Sequence, residues 1–199
     1  MSGPRTTPAI PGLSRIVLTG FMGAGKTTVG ALLAGRLGWQ FVDTDRIVEA
    51  RAGLTVATVF SQYGEPSFRE MEASAIRDTA TGDRLVLALG GGALEVPSTR
   101  EFLQSLPACR IVFLEAPLDT LLARCAAHAA GPVRPVLQDR GRLAERWQAR
   151  LPLYRQAHLT IPTAGLTPEA VAEQVLAALS GTAGDSSDCS SAHASGARA

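Results

Sequence analysis

Lysine is almost absent from this sequence. Of 19 basic residues, 18 are arginine, and the single lysine is Lys26. Aromatic residues make up only 5% of the chain, and three cysteines (Cys109, Cys125, Cys189) form no Cys-x-x-Cys pair. An odd, scattered set of thiols suits a reducing compartment better than a disulfide framework. Charge of one sign is lacking too: 19 Lys+Arg against 18 Asp+Glu leave a net +1. So small a charge provides no global field for nucleic acid or anionic lipid, and any bound anion must be met by locally placed residues. No apolar run approaches the ~20 residues of a membrane helix. The start lacks a basic segment followed by an apolar stretch, so no export signal is read. The expectation is a cytoplasmic, monomeric protein with no membrane and no nucleic-acid partner. His128, His158 and His193 show no metal-ligand spacing. With 46% hydrophobic residues over 199 positions, the chain has material for one ordinary folded domain.

Residues 1–13 hold three prolines among Ser, Gly and Thr and read as a loose arm; residues 181–199 are mostly Ser, Ala, Gly and Asp and read as a disordered tail. Between them lies one domain, 14–180. Short apolar, β-branched runs at 15–19, 40–42, 84–89, 110–114 and 158–161 predict strands. Helical patterns at 26–37, 46–51, 56–60, 68–78, 97–104, 118–127, 141–151 and 167–179 separate them. This alternation argues for an α/β fold, a parallel sheet with helices on both faces. Leu85-Val86-Leu87-Ala88-Leu89 does not alternate in polarity, which suits a strand buried on both sides.

The first strand runs into Gly20-Phe21-Met22-Gly23-Ala24-Gly25-Lys26-Thr27-Thr28 and then a helical stretch. That is G-x-x-x-x-G-K-[ST] in its required setting. Glycines let successive N–H groups curl toward phosphate oxygens, and the helix start adds partial positive charge. Lys26 is placed for the β/γ-phosphates and the Thr27 hydroxyl for Mg²⁺. The chain's one lysine therefore falls where this motif requires an ammonium. A guanine-reading Asn-Lys-x-Asp segment cannot exist beside it, which argues against a GTPase.

The acceptor is read from the segments downstream of this loop. Asp43-Thr44-Asp45 ends the second strand, and if the extended geometry persists both carboxylates point the same way. One could hold a metal-bound water while the other takes a proton from an attacking hydroxyl. Arg69 and Glu72, three apart, share a helix face, leaving a guanidinium fork for a ligand carboxylate. Gly90-Gly91-Gly92 after the buried strand lets a ligand approach the backbone closely. Arg134, between Pro132 and Pro135, sits on a loop that could close over the phosphates, and Arg155 ends the next helical stretch.

In order and approximate spacing these segments, with Val133-Arg134-Pro135 and Pro152-Leu153-Tyr154-Arg155, resemble the shikimate kinase family over about residues 14–180. The resemblance implies ATP-dependent phosphorylation of the 3-hydroxyl of shikimate, on the route to chorismate and the aromatic amino acids. It implies the fold of P-loop nucleoside monophosphate kinases, a five-stranded parallel sheet in the order 2-3-1-4-5. The acceptor region would span about 43–80 and a mobile lid about 127–142. Gly23, Ala24, Gly25, Lys26, Thr27 and Thr28 would bind ATP, with Mg²⁺ held by Thr27 and, through water, by Asp43. Asp45 would bind the acceptor hydroxyl and act as base. Arg69, Arg155, Gly91 and Gly92 would bind shikimate, with Glu72 orienting Arg69 and with Val56, Phe60, Phe68 and Pro135 as apolar walls. Arg134 would be the lid arginine, acting with Asp45 and Lys26 in catalysis, and Arg124 would lie against adenine. One position departs from the family: Pro162 stands where an Asp usually follows the last strand, although Pro168 is kept.

Two rivals share parts of this pattern. Another kinase of the same fold, acting on gluconate, would also meet a carboxylate and hydroxyls; the glycine triplet and Phe68-Arg69 favour shikimate. A non-catalytic ligand sensor should have lost Asp45, Lys26 or Arg134, and all three stand.

Overall fold

The computed structural model describes residues 10–127 and 140–181. Arg134 and Pro135, most of the expected lid, and nearly all of both expected tails lie outside the described residues. Five strands, β1 (Arg15–Thr19), β2 (Gln40–Asp43), β3 (Leu85–Ala88), β4 (Cys109–Glu115) and β5 (Leu159–Pro162), form one sheet in the order β2-β3-β1-β4-β5. Every pairing is parallel. The helices are α1 (Lys26–Leu37), α2 (Thr44–Ala52), α3 (Val56–Ala80), α4 (Pro97–Ser105), α5 (Leu118–Ala127), α6 (Arg140–Tyr154) and α7 (Pro168–Gly181), with a short 3₁₀ turn at Ala93–Glu95.

The central strands β1 and β3 are buried at every position, as the unbroken apolar runs require of a sheet covered on both faces. Around them Ile16, Leu18, Leu33, Ile76, Leu87, Leu103, Leu114 and Leu121 form a contiguous core. Ile10, assigned by sequence to the loose arm, is 6% exposed and belongs to this core, so the folded part begins before residue 14. The predicted helices at 56–60 and 68–78 are longer than their apolar patterns and meet at a kink, where Gly64 takes φ 78° and ψ 170°. A glycine tolerates that backbone, and Pro66 just beyond it needs no N–H partner.

Because all strands run the same way, their C-terminal ends share one rim. Asp43 pairs in register with Ala88, Leu18 with Ala88 and Val112, and Glu115 with Pro162. The segments after β1, β2, β3 and β5 therefore converge there, at the position where open α/β sheets bind ligands. The opposite rim is tied by Arg15, whose guanidinium donates to Pro107 O (2.9 Å), Thr81 O (2.8 Å) and Asp83 (3.0 Å).

Candidate active site

The loop after β1 is held tight by its glycines. A Cβ on Gly20 would meet Leu114 O at 2.8 Å, and one on Gly23 would meet Leu121 O at 2.4 Å and Cys125 Sγ at 2.9 Å. Gly25 caps α1 in the left-handed region (φ 91°), and the first helical bond runs from Val29 N to its carbonyl. Ala24 is buried, whereas Thr27 and Thr28 on the first turn are exposed. The Lys26 ammonium donates to Gly20 O (2.7 Å) and Phe21 O (3.1 Å), folding back over the loop. Burial pulls its pKa down, against the pull of Asp45 and Asp43. These features make an anion cradle of backbone N–H groups with one ammonium above it.

The three residues after Val42 each take a different task. Asp43 Oδ2 accepts from the Thr27 hydroxyl at 2.7 Å, and its Oδ1 caps α2 by accepting from Asp45 N at 3.1 Å. The buried Thr44 hydroxyl accepts from Gly90 N at 2.9 Å. Asp45 lies in the first turn of α2, so the extended geometry expected of the pair does not persist. The Asp43 side chain favours the turn into a helix, because it satisfies one of the N–H groups that a helix start leaves without an intrahelical partner. Asp45 Oδ1 nevertheless faces Gly90, where a Cβ would meet it at 2.7 Å and Glu72 Oε1 at 2.0 Å. Burial raises the Asp45 pKa, Asp43 adds to the rise and Lys26 opposes it. Glu72, 1% exposed, is likewise raised by burial against the pull of Arg69.

Arg69 donates to Glu72 at 2.7 Å and to Glu65 at 2.8 Å, confirming the predicted Arg–Glu pair. Its guanidinium carbon lies 5.4 Å from the Phe68 ring centre and 6.0 Å from that of Phe60, and the two rings are 4.5 Å apart. Val56 packs with these rings at the edge of a small apolar cluster centred on Val48, Val59 and Phe68. Gly92 lies directly beneath: a Cβ there would meet Arg69 Nη2 at 2.0 Å.

The second arginine is not the one singled out in the sequence. Arg155, 62% exposed, lies 3.4 Å from Glu115 at the end of β4 and makes no hydrogen bond to the glycine triplet. Arg150 stands over the site instead. It is 8% exposed, donates to Glu95 at 2.8 Å, lies 5.9 Å from the Phe21 ring centre and sits beside Gly91. The physical reason is helix phase. Leu143, Arg150 and Tyr154 are the buried residues of α6, at spacings of seven and four, so they share its inward stripe, while Arg155 falls about 100° round. Sequence reasoning ended this helix at Leu151, before Pro152, and so carried no phase across the segment. It also missed Glu95, and Tyr154, whose hydroxyl donates to Gly91 O.

On the far side of the phosphate loop, Arg124 donates from α5 to the Thr163 hydroxyl (3.0 Å) and carbonyl. Pro162 ends β5 opposite Glu115, and Thr163 N continues that pairing to Glu115 O at 2.8 Å. Arg124 is thereby fixed at the rim beside the loop after the last strand.

Residues 22–180 match the family model described as shikimate kinase. A shikimate kinase of Psychrobacter arcticus is 41% identical over 165 residues, spanning 82% of this chain and 88% of that one. The structure of shikimate kinase from Acinetobacter baumannii in complex with shikimate superposes with a TM-score of 0.78 at 36% identity, covering 85% of this chain and 94% of that one. A gluconokinase from Sinorhizobium meliloti superposes at 0.59 with 21% identity over 89% and 97%, a likeness of fold alone. The chain belongs to the shikimate kinase family.

Proposed function

We propose that this protein transfers the γ-phosphate of ATP to the 3-hydroxyl of shikimate, giving shikimate 3-phosphate and ADP. The observation that carries the reading is the convergence, over Gly90-Gly91-Gly92, of two guanidinium forks and one raised-pKa carboxylate beside an ammonium-bearing phosphate loop. Shikimate is a small carboxylate with hydroxyls. Arg69 and Arg150 receive its carboxylate end, taking the place given by sequence to Arg69 and Arg155. The backbone of Gly91 and Gly92 allows its ring to lie close, and Phe60 and Phe68 wall one side. Asp45 accepts the proton of the attacking hydroxyl, and its raised pKa strengthens it for that task.

On the nucleotide side, the loop from Gly23 to Thr28 cradles the phosphates, Lys26 neutralises the β/γ oxygens, and Arg124 packs against the adenine. Phosphoryl transfer needs positioning and charge neutralisation more than covalent help. The residues present also fit Mg²⁺. Among the described residues no trio of His, Cys, Asp or Glu could hold a metal unaided. Thr27 and, through water, Asp43 would hold the ion, and the two side chains stand together, 2.7 Å apart. When bound, the ion neutralises charge on the phosphates. Arg134, outside the described residues, is assigned to the transition-state charge from the lid. The reading takes the enzyme to act as a monomer. No described helix is long and apolar enough to cross a membrane, and the reading places the enzyme in the cytoplasm.

The test is ADP release from Mg·ATP with shikimate, with gluconate and with no acceptor. The expected result is release that requires shikimate. Release with gluconate alone would overturn the acceptor assignment, and binding of shikimate without turnover would replace the enzyme by a sensor.

A further inference from the structure

The carboxylates around the acceptor arginines outnumber them. Arg69 and Arg150 carry two positive charges, while Glu72, Glu65 and Glu95 all lie within ion-pair distance of them. Glu72 is the buried partner of Arg69 and Glu65 the next turn's partner on the same helix. Glu95 belongs to neither helix. It sits at the end of the 3₁₀ turn that follows the glycine triplet, and its Oε2 alone touches both forks, 2.8 Å from Arg150 Nη2 and 3.4 Å from Arg69 Nη2. A Cβ on Gly92 would meet that same oxygen at 2.5 Å, so the carboxylate lies on the glycine surface offered to the acceptor.

Both arginines are more deeply buried than Glu95. The arginine side chains are 14% and 9% exposed, one pinned by Glu72 and the other laid on Phe21; that of Glu95 is 37% exposed and open to water on one side. A carboxylate held between two guanidiniums has the chemistry of the acceptor's own carboxylate group, and the donors it uses are the ones such a group needs.

We propose that Glu95 is a specificity-determining residue, an internal carboxylate that stands between Arg69 and Arg150 and must be expelled by the carboxylate of the incoming acceptor. The proposal rests on shikimate being the acceptor. Charge is balanced in the exchange: one carboxylate leaves for solvent as another enters, and the forks never stand unpaired. A neutral polyol has nothing to exchange for Glu95 and is turned away, because Arg69 would keep Glu72 and Glu65 but the buried Arg150 guanidinium would lose its carboxylate, which is costly.

The test uses the full chain with Glu95→Gln and, as a second variant, Glu95→Asp, whose shorter side chain reaches both forks less well. Calorimetric titration of shikimate and steady-state kinetics give the first readout. Removing the competitor should lower Kd and KM for shikimate about fivefold in Glu95→Gln, in the range of partly exposed ion pairs, and less in Glu95→Asp. The kcat and the KM for ATP should stay within twofold. Unchanged or weaker shikimate binding in both variants would overturn the proposal, because it would make Glu95 a support for the arginines.

A second readout needs no acceptor. Phenylglyoxal should modify Arg150, mapped by mass spectrometry, several times faster in Glu95→Gln than in the wild type, and equal rates would overturn the contact itself. Wild-type protein that neither binds nor phosphorylates shikimate, with Arg150 still shielded by Glu95, would overturn the acceptor reading and with it the role of Glu95 toward shikimate.

Discussion

Two arginines five residues apart make opposite predictions. Arg150 is nearly buried, bonded to Glu95 and stacked on Phe21, whereas Arg155 is 62% exposed with one partner at 3.4 Å. In the proposed reading, replacing Arg150 by Ala removes one of two forks for the acceptor carboxylate. A charge-assisted bond of this kind contributes about 1.5–3 kcal/mol, which is roughly a 10- to 150-fold loss of kcat/KM for shikimate. The loss should fall mainly on KM, since the contact is to a non-reacting end of the acceptor. Arg150→Lys keeps the charge but not the planar fork and should land between Ala and wild type. Arg155→Ala removes a solvent-screened pair and should leave kcat/KM within twofold. The assay is coupled ADP release at varied shikimate and saturating ATP. Thermal melts accompany it, because Arg150→Ala also forfeits the ring contact, about 0.5–2 kcal/mol. A large loss in Arg155→Ala with Arg150→Ala near wild type would refute the helix-phase reasoning and return the acceptor role to the residue that sequence first indicated.

Asp45→Asn should cut kcat by roughly 10²–10⁴ while leaving the KM for ATP little changed. It should also raise the melting temperature at pH 8. The folded pKa of Asp45 is raised by burial, so the protonated form contributes stability that is full below the unfolded value and lost as pH rises through the folded one. The stability gain in Asn should therefore shrink on acidification toward pH 4; a variant less stable than wild type at pH 8 would contradict the shift. Gly92→Ala places a methyl 2.0 Å from an Arg69 nitrogen already held by two carboxylates, and shikimate KM should rise at least about tenfold with the fold intact by circular dichroism. At the opposite rim, Ala108 is exposed and takes φ 51°, so Ala108→Gly should stabilise by about 0.5 kcal/mol in urea titration, relief of left-handed strain exceeding the entropy of glycine.

What the sequence showed was what depends on local chemistry. The phosphate loop was legible because its glycines, lysine and threonine are adjacent, and α1 has the bounds expected of it. The central strands β1 and β3 were legible because burial on both faces writes an unbroken apolar run, and all five strands stand within a residue or two of their expected bounds. The Arg69–Glu72 pair was legible because three residues on a helix meet without help from the rest of the fold. Arg150 was not, since its role depends on which way α6 faces, and Pro152 in the last turn hid the continuity that sets that phase. Glu95 was not, because its partners lie 26 and 55 residues away and only the crossing of the 3₁₀ turn with α3 and α6 brings them together. Asp45 was assigned the right neighbourhood for an incomplete reason: Asp43 caps α2, and it is the helix, with the glycine triplet below, that aims the second acid.

Asp43, Thr44 and Asp45 are consecutive, yet the first is bonded to the phosphate loop, the second to Gly90 N, and the third faces Gly90, where the proposed acceptor hydroxyl would lie. No flexible segment separates them, so neither substrate can settle its end of the tripeptide without also settling the other's. Such a joint makes the two binding equilibria thermodynamically linked, and linkage is reciprocal: whatever factor ATP applies to the affinity for acceptor, the acceptor must return to ATP. Loosening the middle residue alone, by taking the hydroxyl of Thr44 from Gly90 N, should bring that factor toward one while leaving each substrate's separate contacts in place.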